Sequence, residues 1–192
     1  MKRARLVLAI GSVSLIVGLG VPALAAEKAG VTMPDTRTLG ETELVLNGLG
    51  LREATLFKVD VYVAGLYMPK QSSDPEYVLR GDVPKFLELH FVRSVSKGKQ
   101  VDAFEEGFKK SADDYKAIEQ RVSRVLSFMA DVDKGEKMAF VYEPGKGTTF
   151  FVKGEDKGTI AGEDLQRALY AIYVGPEPPN QGLKEGLLGL KK

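Results

Sequence analysis

The chain has 192 residues, with 27 Lys and Arg against 26 Asp and Glu, no Cys and one His. That length suits a single domain with a substantial core, and the balanced charge gives no electrostatic footprint for nucleic acid. Without Cys there are no disulfides, no thiolate nucleophiles and no thiolate metal sites, and a lone His90 excludes polyhistidine metal centres; no cofactor is expected.

The chain opens with Lys2, Arg3 and Arg5, continues through the apolar stretch Leu6 to Leu19, and then reaches Pro22 and Ala23-Leu24-Ala25. A positive start, an apolar centre shorter than a membrane span and small residues at the end form the three-part pattern of a cleavable export signal. Residues 1–25 are therefore expected to be removed, leaving 167 residues that work in the periplasm or outside the cell and carry 24 positive against 26 negative side chains. Residues 26–40, polar and containing Gly30, Pro34 and Gly40, are expected to form an N-terminal arm, with the domain proper spanning 41–192.

Glu43 to Asn47 begins an extended region, and Leu51 to Met68 continues it, with Val59, Val61 and Val63 on one face and Asp60, Tyr62 and Ala64 on the other. Gly65 within that run marks a bulge or a close backbone approach. Asp74 to Leu79 reads as a short helix ended by Gly81, and Lys85 to Arg93 as a strand with Leu87, Leu89 and Phe91 facing inward. The apolar spacing then changes to threes and fours, predicting helices over Ser96 to Ala112 and Asp113 to Met129. Strands Lys137 to Tyr142 and Thr148 to Lys153 flank a glycine-rich turn, a second turn at 154–158 leads to Thr159-Ile160, Ala161 to Tyr173 reads as a helix, and Leu183 to Leu190 as a short last one. Strands, helices, a meander and a final helix predict an α+β fold: a large antiparallel sheet with helices packed on one face.

Four sets of polar residues invite functional readings. Gly145-Lys146-Gly147-Thr148-Thr149 has phosphate-loop composition, but Gly147 separates the lysine from the threonine and a strand follows, so a hairpin turn is the reading. Glu105-Glu106 and Asp113-Asp114 are paired acids, yet adjacent helical residues diverge and lysines surround them, as on a solvated face. His90 shares a strand face with Glu88, a pairing able to orient an imidazole but equally that of a partly exposed structural histidine. Arg52 stands in the apolar setting Leu49-Gly50-Leu51-Arg52, and Tyr62 faces away from the valines of its strand. Together in one cleft they would present convergent donors to a carboxylate or enolate; the residues alone leave their convergence open.

These last two residues lie in runs that resemble a known family. Leu46-Asn47-Gly48-Leu49-Gly50-Leu51-Arg52, followed by Lys58-Val59-Asp60-Val61-Tyr62-Val63-Ala64-Gly65-Leu66-Tyr67, is similar to the opening strands of chalcone isomerase-like proteins, particularly an exported bacterial branch. Leu89 to Ser96, Phe104 to Phe108 and Gly158 to Leu169 resemble later elements of that branch. The resemblance implies an open-faced β-sandwich, with a ligand cleft between the sheet and a helix layer.

Plant members close a ring within their substrate, using an arginine, a threonine on the next strand, and a tyrosine and an asparagine near the first long helix. Arg52 matches the arginine, but Tyr62 stands at the threonine, and the other two positions fall near Gln100 or Val101 and near Gly107 or Phe108. A flavonoid cyclase would lack most of its polar machinery. The fatty-acid-binding branch is a better match, because there an arginine and a tyrosine on these strands are associated with the ligand's carboxylate. The resemblance therefore implies binding, without turnover, of a fatty acid or similar apolar carboxylate by Arg52 and Tyr62. The alternatives are an isomerase or intramolecular lyase in which Arg52 holds an oxyanion and Tyr62 gives a proton, and an interaction module whose cleft is filled by its own side chains.

Overall fold

The computed structural model describes residues 25–54 and 58–191. The expected export signal lies outside the described residues except for Ala25. The described residues form nine strands and five helices: β1 (Ala25–Lys28), β2 (Val31–Pro34), β3 (Thr36–Leu39), β4 (Thr42–Ala54), β5 (Val59–Met68), α1 (Pro75–Arg80), β6 (Lys85–Phe91), α2 (Lys97–Ser111), α3 (Tyr115–Ser127), β7 (Lys137–Glu143), β8 (Gly147–Val152), β9 (Glu155–Ile160), α4 (Glu163–Val174) and α5 (Gln181–Leu187). Strands β3 to β9 make one seven-stranded antiparallel sheet in chain order, and β1 and β2 form a separate hairpin. This is the α+β architecture read from the sequence.

Alternation along each strand divides the apolar residues between two faces. Leu87, Leu89 and Phe91 of β6, Met138, Phe140 and Tyr142 of β7, and Phe150 and Val152 of β8 point to the side where all five helices pack, and their side chains are buried there with Phe104, Phe108, Ile118, Val122, Leu165 and Leu169. A smaller cluster on the opposite face joins Leu44, Leu46, Leu49, Val63 and Tyr67 to Met33 of the hairpin. The helices begin where local chemistry directs: Asp74 caps α1 ahead of Pro75, and Asp114 caps α3 through the Ala117 amide.

Several local expectations change. Residues 26–40 are not an arm but three short strands; Met33, isolated in a polar stretch, is fully buried because Gly65 leaves room for its sulfur against the sheet. Gly65 therefore marks a close approach, while the ladder's irregularities fall between Leu46 and Gly48 and between Arg52 and Glu53. The extended run from Leu51 to Met68 divides into the end of β4 and the whole of β5, with Lys58 at φ 50° before the second strand. The turn expected at 154–158 is mostly strand β9.

Helix α5 lies directly on β4. A Cβ on Gly48 would overlap the Gly186 carbonyl, one on Gly50 the Leu183 carbonyl, and one on Gly186 the Leu49 carbonyl, so these glycines permit contact between backbones. Strand β3 covers β4 only as far as Val45. Beyond it, the Asn180 amide accepts from the Glu53 N–H at 3.2 Å and donates to the Leu51 carbonyl at 3.0 Å, taking the place of a strand along that edge.

Candidate functional site

Arg52 and Tyr62 are directly opposite one another in the β4–β5 ladder. Residues so paired in an antiparallel ladder project to the same face. Tyr62 packs against the main core, so both belong to the helix-covered side, one step beyond the glycine pair under α5. The ladder irregularity immediately after Arg52 gives β5 an extra residue, Val61, a device that re-aims neighbouring side chains.

Tyr62 meets the ring of Phe91 edge-on with centroids 5.6 Å apart. Burial pushes its phenol well above the ordinary tyrosine range, with the nearby Arg52 cation opposing that shift only in part. The phenol is thus a neutral hydrogen-bond donor, unsuited to act as a base at neutral pH. Arg52, half-buried, donates through Nη1 to the carbonyl of Glu53, which occupies one of a guanidinium's five N–H donors.

A third polar group joins them from the helix layer. Tyr173 near the end of α4 is 2% exposed, and its phenol is raised well above the usual range by burial, then by its neighbours Tyr62 and Tyr170. The helical spacing of Leu165, Leu169 and Ile172 accounts for this helix as core. The available signal was that Tyr173, four residues after Leu169, puts a hydroxyl on that same apolar stripe.

Four of the clefts bordered by the described residues have neither Arg52 nor Tyr62 in their lining. The largest, about 1210 Å³, lies between the β1–β2 hairpin, the β4 irregularity and the end of α5. One of about 450 Å³ opens on the uncovered face of the sheet. The two others, about 70 and 510 Å³, flank the start of α4.

The remaining candidates have structural explanations. Gly147 begins β8 at φ 113°, and a Cβ there would overlap the Ile160 carbonyl, so this glycine shapes a hairpin rather than a phosphate cradle. Glu105 and Glu106 pair with Lys109 and Lys110 one turn later, each at 2.6 Å, on the outside of α2. Asp113 holds Arg167 at 2.8 Å, and Asp114 is the α3 cap. His90 Nε2 stands 3.5 Å from Glu88 Oε1 on the face away from the helices. Burial and then Lys137 depress its pKa, Glu88 opposes them, and Arg37 adds a smaller depression. Among the described residues, no three acidic or histidine side chains gather to hold a metal ion, and no helix is long and apolar enough to cross a membrane.

The sequence profile of the chalcone isomerase-like family matches residues 25–189. The chain belongs to that family. The match begins at β1, so the hairpin and β3 fall within the region that the profile covers. No curated protein matches this chalcone isomerase-like chain closely enough to be counted a relative. Among solved structures, it is similar to the crystal structure of a fatty-acid binding protein of Arabidopsis thaliana, with a TM-score of 0.66 and 17% sequence identity over 86% of this chain and 96% of the other. That likeness shows the shared fold.

Proposed function

We propose that this chalcone isomerase-like protein is exported and binds a fatty acid or similar apolar carboxylate without transforming it. One observation supports this reading above the others: Arg52 and Tyr62 occupy opposite positions of adjoining strands on the helix-covered face, with Tyr173 beside Tyr62. A guanidinium binds a carboxylate through two parallel charge-assisted hydrogen bonds, and a neutral phenol adds a third. The acyl chain would lie among Tyr62, Phe91 and Tyr173, and each methylene buried there contributes about 0.8 kcal/mol. A similar fold in a plant fatty-acid binding protein agrees with this use of the scaffold.

The test is mass spectrometry of small molecules released from protein purified from its natural host. Wild type should yield a near-stoichiometric apolar acid, and a folded Arg52→Ala variant should yield at least tenfold less. Equal recovery from both would remove Arg52 from the site, and empty wild-type protein would refute binding. Fractionating the same cells should place the protein outside the cytoplasm, shortened by about 25 residues.

A further inference from the structure

We propose that the uncovered face of the sheet carries a second binding site, centred on Ala139, for a small organic anion with a flat apolar body. This site is separated from Arg52 and Tyr62 by the sheet itself, and its existence does not depend on theirs.

The ladder register builds the hollow. Ala139 pairs with Glu88 on one side and with Phe151 on the other, so a methyl group sits between two long side chains. One step along β6, Phe86 projects to the same face; two residues before Ala139 on β7, so does Lys137. A small residue ringed by large ones leaves a slot, here of about 450 Å³, within the range of small-molecule pockets. The Glu136 and Gly154 turns form its lower wall.

Charge decides what kind of molecule fits. Glu88, whose side chain is 7% exposed, is neutralised by Arg37 Nη2 at 2.8 Å. Arg37 is itself held over the rings of Tyr67 and Phe86 at 5.0 and 4.7 Å, and its Nε is buried without a hydrogen-bond partner among the described residues. Lys153 at the rim is paired with Glu136 at 3.0 Å. Among the described residues Lys137 has no acid nearer than Glu88 at 3.7 Å, and its side chain is 48% exposed. With Glu88 already matched by Arg37, Lys137 is the surplus charge of the slot. An organic cation would face that surplus, whereas an anionic head on Lys137 would let an aromatic or alicyclic body lie over Ala139 between Phe86 and Phe151.

The probe is 8-anilinonaphthalene-1-sulfonate, a flat apolar anion, titrated by fluorescence into the full-length folded protein. Saturable one-site binding is expected to weaken at least tenfold in Ala139→Phe, which fills the slot from within, and in Lys137→Glu, which reverses its charge. Lys116→Glu, the same charge reversal on the exposed surface of α3, should bind the dye as wild type does. Unsaturable binding, unchanged binding in Lys137→Glu, or equal weakening in Lys116→Glu would overturn the proposal. If Ala139→Phe failed to fold, as read from its circular dichroism, the half-exposed Lys137 position would still decide the result.

Discussion

Replacing Asn47 by alanine is expected to destabilise the protein by about 3 kcal/mol, the cost of leaving several buried or part-buried backbone groups without partners. Asn47 occupies the β4 irregularity and is 6% exposed. Its Nδ2 donates to the Leu187 carbonyl at 2.7 Å and the Ser72 carbonyl at 3.0 Å, while its Oδ1 accepts from the Ser72 N–H at 2.7 Å. One amide thus ties the end of α5 and the loop after β5 to the sheet. Asn47→Asp separates shape from chemistry, because it keeps the acceptor but turns an oxygen toward two carbonyls. At neutral pH it should be at least as unstable as the alanine variant, and it should regain stability on acidification as its carboxyl becomes a donor. Urea unfolding of both variants across pH measures this; equal stability of Asn47→Asp and wild type would show that the hydrogen bonds contribute little.

Lys85→Met should act in the other direction, stabilising the fold at neutral pH by about 2 kcal/mol. Lys85 is fully buried at the start of β6, with Nζ donating to the Gly81 carbonyl at 2.8 Å and lying 4.7 Å from the Tyr142 ring centroid. Burial lowers its pKa from 10.5 to about 8, although the neighbouring Asp82 and Glu163 resist the change. The folded state therefore carries a charge it holds poorly, a penalty on the order of 3 kcal/mol that the hydrogen bond and aromatic contacts have not removed. Methionine fills similar volume without the charge but leaves the Gly81 carbonyl without this donor.

The sign of the pH dependence follows from which state keeps the proton. Between about 8 and 10.5 the unfolded chain retains the Lys85 proton while the folded protein has released it, so wild-type stability should rise with pH through that window. Tyr142, raised from 10.0 to about 12 chiefly by burial, acts oppositely: its stabilising effect is present below pH 10 and is lost as pH rises through 12. Wild type should thus be most stable near pH 10, and the rise from pH 8 should be absent in Lys85→Met. Thermal unfolding as a function of pH checks both slopes; an unchanged rise in the variant would assign it to another group.

The elements legible in the sequence are those whose pattern is local. Leu87, Leu89 and Phe91 alternate within one strand, and Phe104 with Phe108, and Ile118 with Val122, recur at helical spacing, so these patterns place β6, α2 and α3 to within two residues at each end. What was not legible depends on distant partners. Met33 is core only because Gly65 admits it, and the polar stretch around it gives no sign of that. Gly48 and Gly50 marked the family resemblance, but their physical purpose, receiving the backbone of α5, requires residues more than 130 positions later. The same holds for the site. Arg52 and Tyr62 were identifiable as polar residues in apolar strands, whereas the approach of Tyr173 depends on how α4 crosses the sheet. The Ala139 slot follows from cross-strand register, which no stretch of β7 alone contains.

The most direct test of the proposed carboxylate site compares laurate with dodecanol, which have the same chain but differ in the head group, by calorimetric titration into the folded protein. A desolvated guanidinium–carboxylate pair is worth about 1.5–3 kcal/mol, so laurate should bind roughly ten- to a hundredfold more tightly, and the gap should close in Arg52→Ala. Equal affinity of wild type for the acid and the alcohol would contradict the account, because the arginine would then not be reading the head group.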